Sequence, residues 1–244
     1  MSSIDDLLAA ALKGLGPKPD DSASQPVKRD YSQRMSEAVA LAVAQELRDR
    51  GCGGTRPAPP GEVGISGAER RLAGGIGAKK VDVSWATEES GLLLAISVKT
   101  INFRDGRSKN FQKNLTNRRG DMLIEAVTLH RRYPYAVVAG LIFLDHEARN
   151  DDTERRRSTF HNAEPRLRLF TGRHDPGGRD EQFEKLWLTL VDANPFTPQW
   201  DSYEVNNLEG EVDLDTELTA LLELVAERNF DFYEMDGTNI KRTG

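Results

Sequence analysis

The sequence predicts an α/β fold with a mixed central sheet flanked by helices. Three observations carry that expectation. The element order reads helix, strand, strand, helix, strand, then further strand and helices, and elements in such an order bury their apolar faces as packed layers. Apolar residues make up 38% and charged residues 30% of the 244, the balance of a globular chain long enough to bury a sizeable core. The stretch AVVAGLIFL (136–144) is an unbroken apolar run. It suits a strand covered on both faces and falls far short of the ~20 residues that span a bilayer.

The elements follow in order. Residues 3–14 form a short amphipathic helix, and 15–29, rich in Gly, Pro, Ser and Asp, read as a linker. A long helix starts near Tyr31, where Ser32 can cap and Met35, Val39, Val43 and Leu47 recur every fourth residue. It stops near Gly51, and the Gly- and Pro-rich residues 51–67 are irregular. A helical turn is expected around Glu69–Ala73, then strands over 79–87 and 92–101, a polar basic loop over 102–117, a helix over 120–132 and a buried strand over 135–144. Residues 147–163 are ambiguous; 167–171 read as a strand, 180–192 as a helix and 214–229 as a terminal helix. The organisation is therefore an N-terminal helix and linker (1–29) and one domain (30–244) with a C-terminal helical extension.

Composition sets limits. Cys52 is the sole cysteine, so no disulfide forms within the chain and a thiolate zinc site is disfavoured. No secretory pattern opens the sequence, and a reducing, cytoplasmic setting without membrane attachment is the expectation. The four histidines have no metal-ligand spacing. Net charge is −6, but it is split. Residues 99–119 carry seven bases against Asp105 alone, whereas 201–236 carry twelve acids and one base, Arg228. One face can therefore attract a polyanion.

The chemistry concentrates in KKVDVSWATEESGLLLAISVKT (79–100). Side chains alternate across a strand, so Lys80, Asp82 and Ser84 share one face of the first strand, opposite Val81, Val83 and Trp85. Ser97 and Lys99 share a face of the second. A four-residue loop over Glu88–Gly91 sets Thr87 against Leu92 and, counting back, Asp82 against Ser97. Opposed residues have Cβ atoms about 5 Å apart. A carboxylate, a hydroxyl and an ammonium thus meet on one sheet face, where charges are costly unless paired or used.

Asp82, a short hairpin and a strand ending in Ser97-Val98-Lys99 resemble the PD-(D/E)xK nuclease superfamily, which includes many restriction endonucleases. The resemblance covers roughly residues 79–144, and the helix and buried strand after the lysine fit the family's core order. It implies a restriction-endonuclease-like sheet, Mg²⁺ as cofactor, metal binding by Asp82 and a water- or phosphate-directing role for Lys99. Val81 stands where the motif has proline, and Ser97 stands where it has its second acid. A hydroxyl is a poor Mg²⁺ ligand beside a carboxylate. Some restriction endonucleases with this Ser-x-Lys form take the acid from the following helix, which here contains Glu125. Glu125 belongs to a polar stripe with Asp121, Thr128 and Arg132. Glu37, on the first long helix, and Glu69, ahead of the first strand, are the further candidate acids.

Residues 102–120 suit DNA. Arg104, Arg107, Lys109, Lys113, Arg118 and Arg119 can neutralise phosphates, and Asn102, Gln112, Asn114 and Asn117 carry amides that can read base edges. Phe103 and Phe111 are interleaved to pack or stack. The expected function is a Mg²⁺-dependent DNA endonuclease, a restriction or defence nuclease by resemblance. The alternative is an inactive nuclease-fold DNA-binding or accessory protein. A homodimer and a partner protein docked on the N-terminal helix are compatible with either. A Ser97–Lys99 nucleophilic dyad is a weaker competitor.

Overall fold

The computed structural model describes residues 3–62, 70–73 and 78–243. Among them, six strands form one mixed sheet in sequential order: β3 (Val83–Thr87), β4 (Gly91–Ile101), β5 (Val137–Asp145), β6 (Lys185–Asp192), β7 (Gln199–Glu204) and β8 (Asn207–Glu211). The β4–β5 and β5–β6 pairs are parallel, and the outer pairs are antiparallel. Two short hairpins stand apart from the sheet: β1 (Arg70–Ala73) with β2 (Ala78–Val81), and β9 (Tyr233–Asp236) with β10 (Asn239–Arg242).

Helices cover both faces. On one, α1 (Ile4–Gly14), α2 (Gln25–Asp49) and α5 (Leu214–Arg228) pack over Val83, Trp85, Leu94, Ile96 and Val98 and over the like-facing residues of β5 and β6. On the other, α3 (Gln112–His130) and α4 (Thr159–Leu167) cover Ala95, Val138, Ile142, Leu186 and Leu188. The apolar run in β5 and the fully buried LWLTLV of β6 are what strands covered on both sides require. Gly51 closes α2 at φ +100°, and a Cβ there would sit 2.0 Å from the Ile240 carbonyl oxygen, so glycine lets β10 dock on the helix end.

Several expectations need correction. α1 is no appendage: Ile4, Leu8 and Leu12 are buried in the core shared with α2 and α5. α2 starts at Gln25, inside the supposed linker, because Pro26 sits in its first turn, where proline is tolerated. Residues 70–73 are strand rather than helical turn. α3 starts eight residues before the expected Gly120, its first turns held by buried Phe111 and Leu115. Residues 167–171 end α4 and pass into a 3-10 turn (Arg168–Phe170) instead of forming a strand. Residues 185–192 are β6, where a helix was expected; LWLTLV is buried throughout and supports either periodicity equally. The chain ends in a hairpin beyond α5.

The predicted strand over 79–87 is broken at Asp82, a bend between β2 and β3. Val81 consequently joins the core under α3, while Val83 and Trp85 join the core under α2. The hairpin loop has three residues between Thr87 and Gly91, with a bulge between Trp85 and Ala86. The bulge restores the residue the shorter loop removes, so Val83 faces Ile96 as the four-residue loop predicts.

Candidate active site

Asp82 is set by backbone demand. The last β3–β4 pair is Val83 with Ile96. Two residues further along β4 the Val98 N–H finds its acceptor in the side chain of Asp82, at 2.8 Å to Oδ2. The same oxygen accepts from Lys99 Nζ at 2.8 Å. The carboxylate thereby finishes the sheet edge and meets the lysine.

Glu125 arrives from the other side. On α3 it shares the buried face with Met122, Ala126 and Leu129 and is 2% exposed. Its Oε2 accepts from Ser97 Oγ at 2.8 Å and lies 3.2 Å from Lys99 Nζ. Close approach of α3 to the sheet depends on Gly140, the parallel partner of Ser97 on β5. A Cβ at Gly140 would lie 2.4 Å from Met122 Cε and 2.6 Å from Leu186 Cδ1. The missing side chain is the seat into which Met122 fits, and it brings Glu125 down onto Ser97.

Lys99 therefore bridges two carboxylates from different elements. Burial opposes its charge, but Glu125 and Asp82, through charge and hydrogen bonds, outweigh that cost and raise its pKa above the ordinary lysine value. The Ser97 hydroxyl is directed to Glu125, an arrangement unlike a Ser–Lys nucleophilic dyad.

The site opens into a cleft of about 740 Å³. Asp82 and Lys99 lie on its floor. Loop residues Arg104–Gly106 and the first turns of α3 (Lys113, Asn114, Asn117, Arg118, Asp121) form one wall, and α2 forms the other. The loop is folded about Asp105, whose Oδ1 accepts from the backbone of Arg107 and Ser108 at 3.1 and 2.9 Å. Lys113, Ser108 and Arg107 hold the Asp105 carboxyl well below its usual range.

Of the ten residues expected at a DNA surface, Asn102, Arg104, Lys113, Asn114, Asn117 and Arg118 line the cleft, and Arg107, Lys109, Gln112 and Arg119 do not. Two amides are already engaged: Asn102 Nδ2 donates to Ser32 Oγ at 3.2 Å, and Asn114 Nδ2 to the Phe103 carbonyl at 3.0 Å. Phe103 and Phe111 are buried and pack internally. Glu37 is exposed, accepts from Gln33 Nε2 at 3.0 Å and does not line the cleft. Glu69 lies outside the described residues. His130 is a packed residue, its ring on the Asp180 carbonyl and on buried Glu184.

The α2 wall went unread in the sequence. Gln25, Arg29, Ser32, Gln33 and Ser36 line the cleft, at helical spacing beside the buried Met35/Val39 stripe. The periodicity was available as a signal, but the Gly/Pro/Ser composition before residue 30 hid the helix start.

A hard divalent cation takes oxygen ligands, and Mg²⁺ commonly rests on one or two carboxylates, with water and phosphate completing its shell. Asp82 Oδ2 and Glu125 Oε2 contact the same Lys99 ammonium at 2.8 and 3.2 Å, so the two carboxylates, the donor type such a cation takes, are joined through the lysine. Among the described residues, no cluster of three or more His, Cys, Asp or Glu forms a metal-holding group. Comparisons with protein-family models, curated proteins and solved structures return no match. Among the described residues no helix is long and apolar enough to cross a membrane.

Proposed function

We propose that the protein is a Mg²⁺-dependent DNA endonuclease of restriction-endonuclease-like architecture. The observation that carries this reading is the meeting of Asp82 and Glu125 on Lys99, with Asp82 and Lys99 on the floor of a cleft with a basic wall and Glu125 buried against the lysine. In this reading Asp82 and Glu125 hold Mg²⁺, with Glu125 replacing the acid that Ser97 lacks. The bound ion supplies charge neutralisation at the phosphate and a lowered pKa for attacking water. Lys99, kept as an ammonium, donates to a phosphate oxygen or orients the water. Ser97 fixes the Glu125 carboxylate, and Arg104, Lys113 and Arg118 neutralise flanking phosphates. A role in restriction or defence is the corresponding biological proposal, and a cytoplasmic location accompanies it.

A second reading has one observation in its favour. Lys99 already neutralises part of the acid pair, so a DNA-binding protein without catalysis could keep the same floor as an ion-paired brace. Incubation with supercoiled plasmid separates the two. The nuclease reading expects nicked or linear product with Mg²⁺, none with EDTA, and none from Lys99→Ala. Plasmid binding without cleavage under any divalent metal supports the binding protein instead.

A further inference from the structure

We propose that α2 is a second DNA-gripping wall of the cleft, with Arg29 as its backbone-phosphate anchor. This rests on the nuclease reading above and assigns a contact that the basic loop does not supply.

The first observation is the state of the cations. Among those lining the cleft, Lys99 is bound by Asp82 and Glu125, and Lys28 donates to the Asp21 carbonyl at 2.9 Å. Arg104 lies 3.2 Å from Glu147, Lys113 2.8 Å from Asp105 and Arg118 3.3 Å from Asp121. Each must give up an internal partner to take a phosphate, and that exchange offsets part of the gain. Arg29 is exposed and lines the same cleft, and among the described residues it has no ion pair or hydrogen bond. Its guanidinium is therefore free to bind phosphate bidentately without breaking a contact.

The second observation is how rigidly α2 is joined to the catalytic strand. Ser36 Oγ and Thr100 Oγ1 are 3.1 Å apart, Thr100 Oγ1 donates to the Ser32 carbonyl at 3.1 Å, and Asn102 Nδ2 donates to Ser32 Oγ. Thr100 directly follows Lys99, and Asn102 lies two residues beyond Thr100. A group held on this face of α2 is thereby held in register with Lys99. Arg29 lies about 10 Å along the helix from Ser36, so it reaches a neighbouring phosphate rather than the scissile one.

The third observation concerns the kind of nucleic acid. Single-strand binding sites present aromatic rings to bases. The aromatic lining this cleft, Phe103, is 7% exposed, set edge-on to Tyr31 and flanked by the Lys18 and Lys28 ammonium groups. Two polar, cationic walls without a stacking ring suit the backbone of a duplex.

The test is binding of a random-sequence DNA duplex, with divalent metal chelated, across a salt series. Wild type, Arg29→Gln, Arg29→Lys and the control Lys13→Gln are compared, Lys13 being exposed on α1 outside the cleft. Losing one phosphate contact lowers the slope of log K against log salt by about 0.9. Arg29→Gln is expected to show that drop with weaker low-salt binding, whereas Arg29→Lys and Lys13→Gln keep the wild-type slope. Wild-type binding with an unchanged Arg29→Gln slope overturns the Arg29 anchor and leaves the nuclease reading standing. Wild type that neither binds duplex nor cleaves plasmid overturns both.

Discussion

Glu125 on α3 accepts a hydrogen bond from Ser97 on β4 at 2.8 Å, across the interface between helix and sheet. The Ser97 hydroxyl therefore orients an acid from the next helix. With Asp82 and Glu125 both on Lys99, the floor of the cleft presents Asp82 and Lys99, and Glu125 lies buried against the lysine.

The nuclease reading expects Glu125→Ala to lose cleavage as severely as Asp82→Ala, at least about 10²-fold, because one remaining carboxylate holds Mg²⁺ weakly. Ser97→Ala leaves the acid in place but frees its orientation. A hydrogen bond to a charged group contributes about 1.5–3 kcal/mol, so Ser97→Ala should lower unfolding free energy within that range and cost less activity than Glu125→Ala. Plasmid cleavage and denaturant unfolding measure the two effects. Equal activity of Glu125→Ala and wild type would remove Glu125 from the reaction.

Lys99→Met strips the counter-ion from two carboxylates, one of them buried. Removing one partner of a buried ion pair costs about 3–5 kcal/mol. The pH dependence follows from the raised Lys99 pKa. Stabilisation from a raised pKa is fully present below the unfolded lysine value of about 10.4 and is lost as pH rises through the higher folded value. The stability gap between wild type and Lys99→Met should therefore stay constant from neutral pH to about 10 and narrow above it. Mg²⁺ should raise the melting temperature of Lys99→Met more than that of wild type, since it can replace the lost positive charge. No difference in the Mg²⁺ response would argue against a cation site between Asp82 and Glu125.

Gly140 provides a test of how the helix is seated. Gly140→Ala introduces a methyl 2.4 Å from Met122 Cε and 2.6 Å from Leu186 Cδ1. Both contacts are flexible side-chain ends, so the expected cost is that of moderate overpacking, about 1–3 kcal/mol. A shift of α3 to relieve the clash weakens the Ser97–Glu125 contact, so cleavage should fall. Met122→Ala added to Gly140→Ala should recover part of the lost stability. Failure of that pair to recover anything would place the strain elsewhere.

The parts of the site legible in the sequence were those governed by local alternation. Asp82, Ser97 and Lys99 fall together because a two-residue period and a short hairpin leave little freedom. The loop length was misread, yet the bulge near Trp85 cancelled the error before it reached Val83 and Ile96. Glu125 was singled out through the resemblance, in which an acid from the following helix stands in for the one absent at Ser97, and not through a local pattern. The strand β6 was not legible, because a buried run carries no period that separates strand from helix. The α2 wall was missed for a different reason. Its first turn contains Pro26 and follows a cluster of turn-forming residues, so the helix start resembles a linker. What α2 contributes depends on long-range bonds such as Ser36–Thr100, which no local pattern encodes.

The basic run was legible as charge but not as two populations, and the difference predicts a contrast. Arg104, Lys113 and Arg118 line the cleft, whereas Arg107, Lys109 and Arg119 do not. Neutralising the first trio to Gln should flatten the salt dependence of duplex binding by up to about 0.9 per contact. Neutralising the second trio, with the same change in net charge, should act only through long-range attraction, which salt screens within about 10 Å at 0.1 M. Binding isotherms across salt concentrations for both triple variants make the comparison. The trio lining the cleft is expected to change the slope, and the outer trio mainly the association rate at low salt. Equal slopes for the two variants would mean that the whole run acts as diffuse surface charge and that the cleft wall makes no specific phosphate contacts.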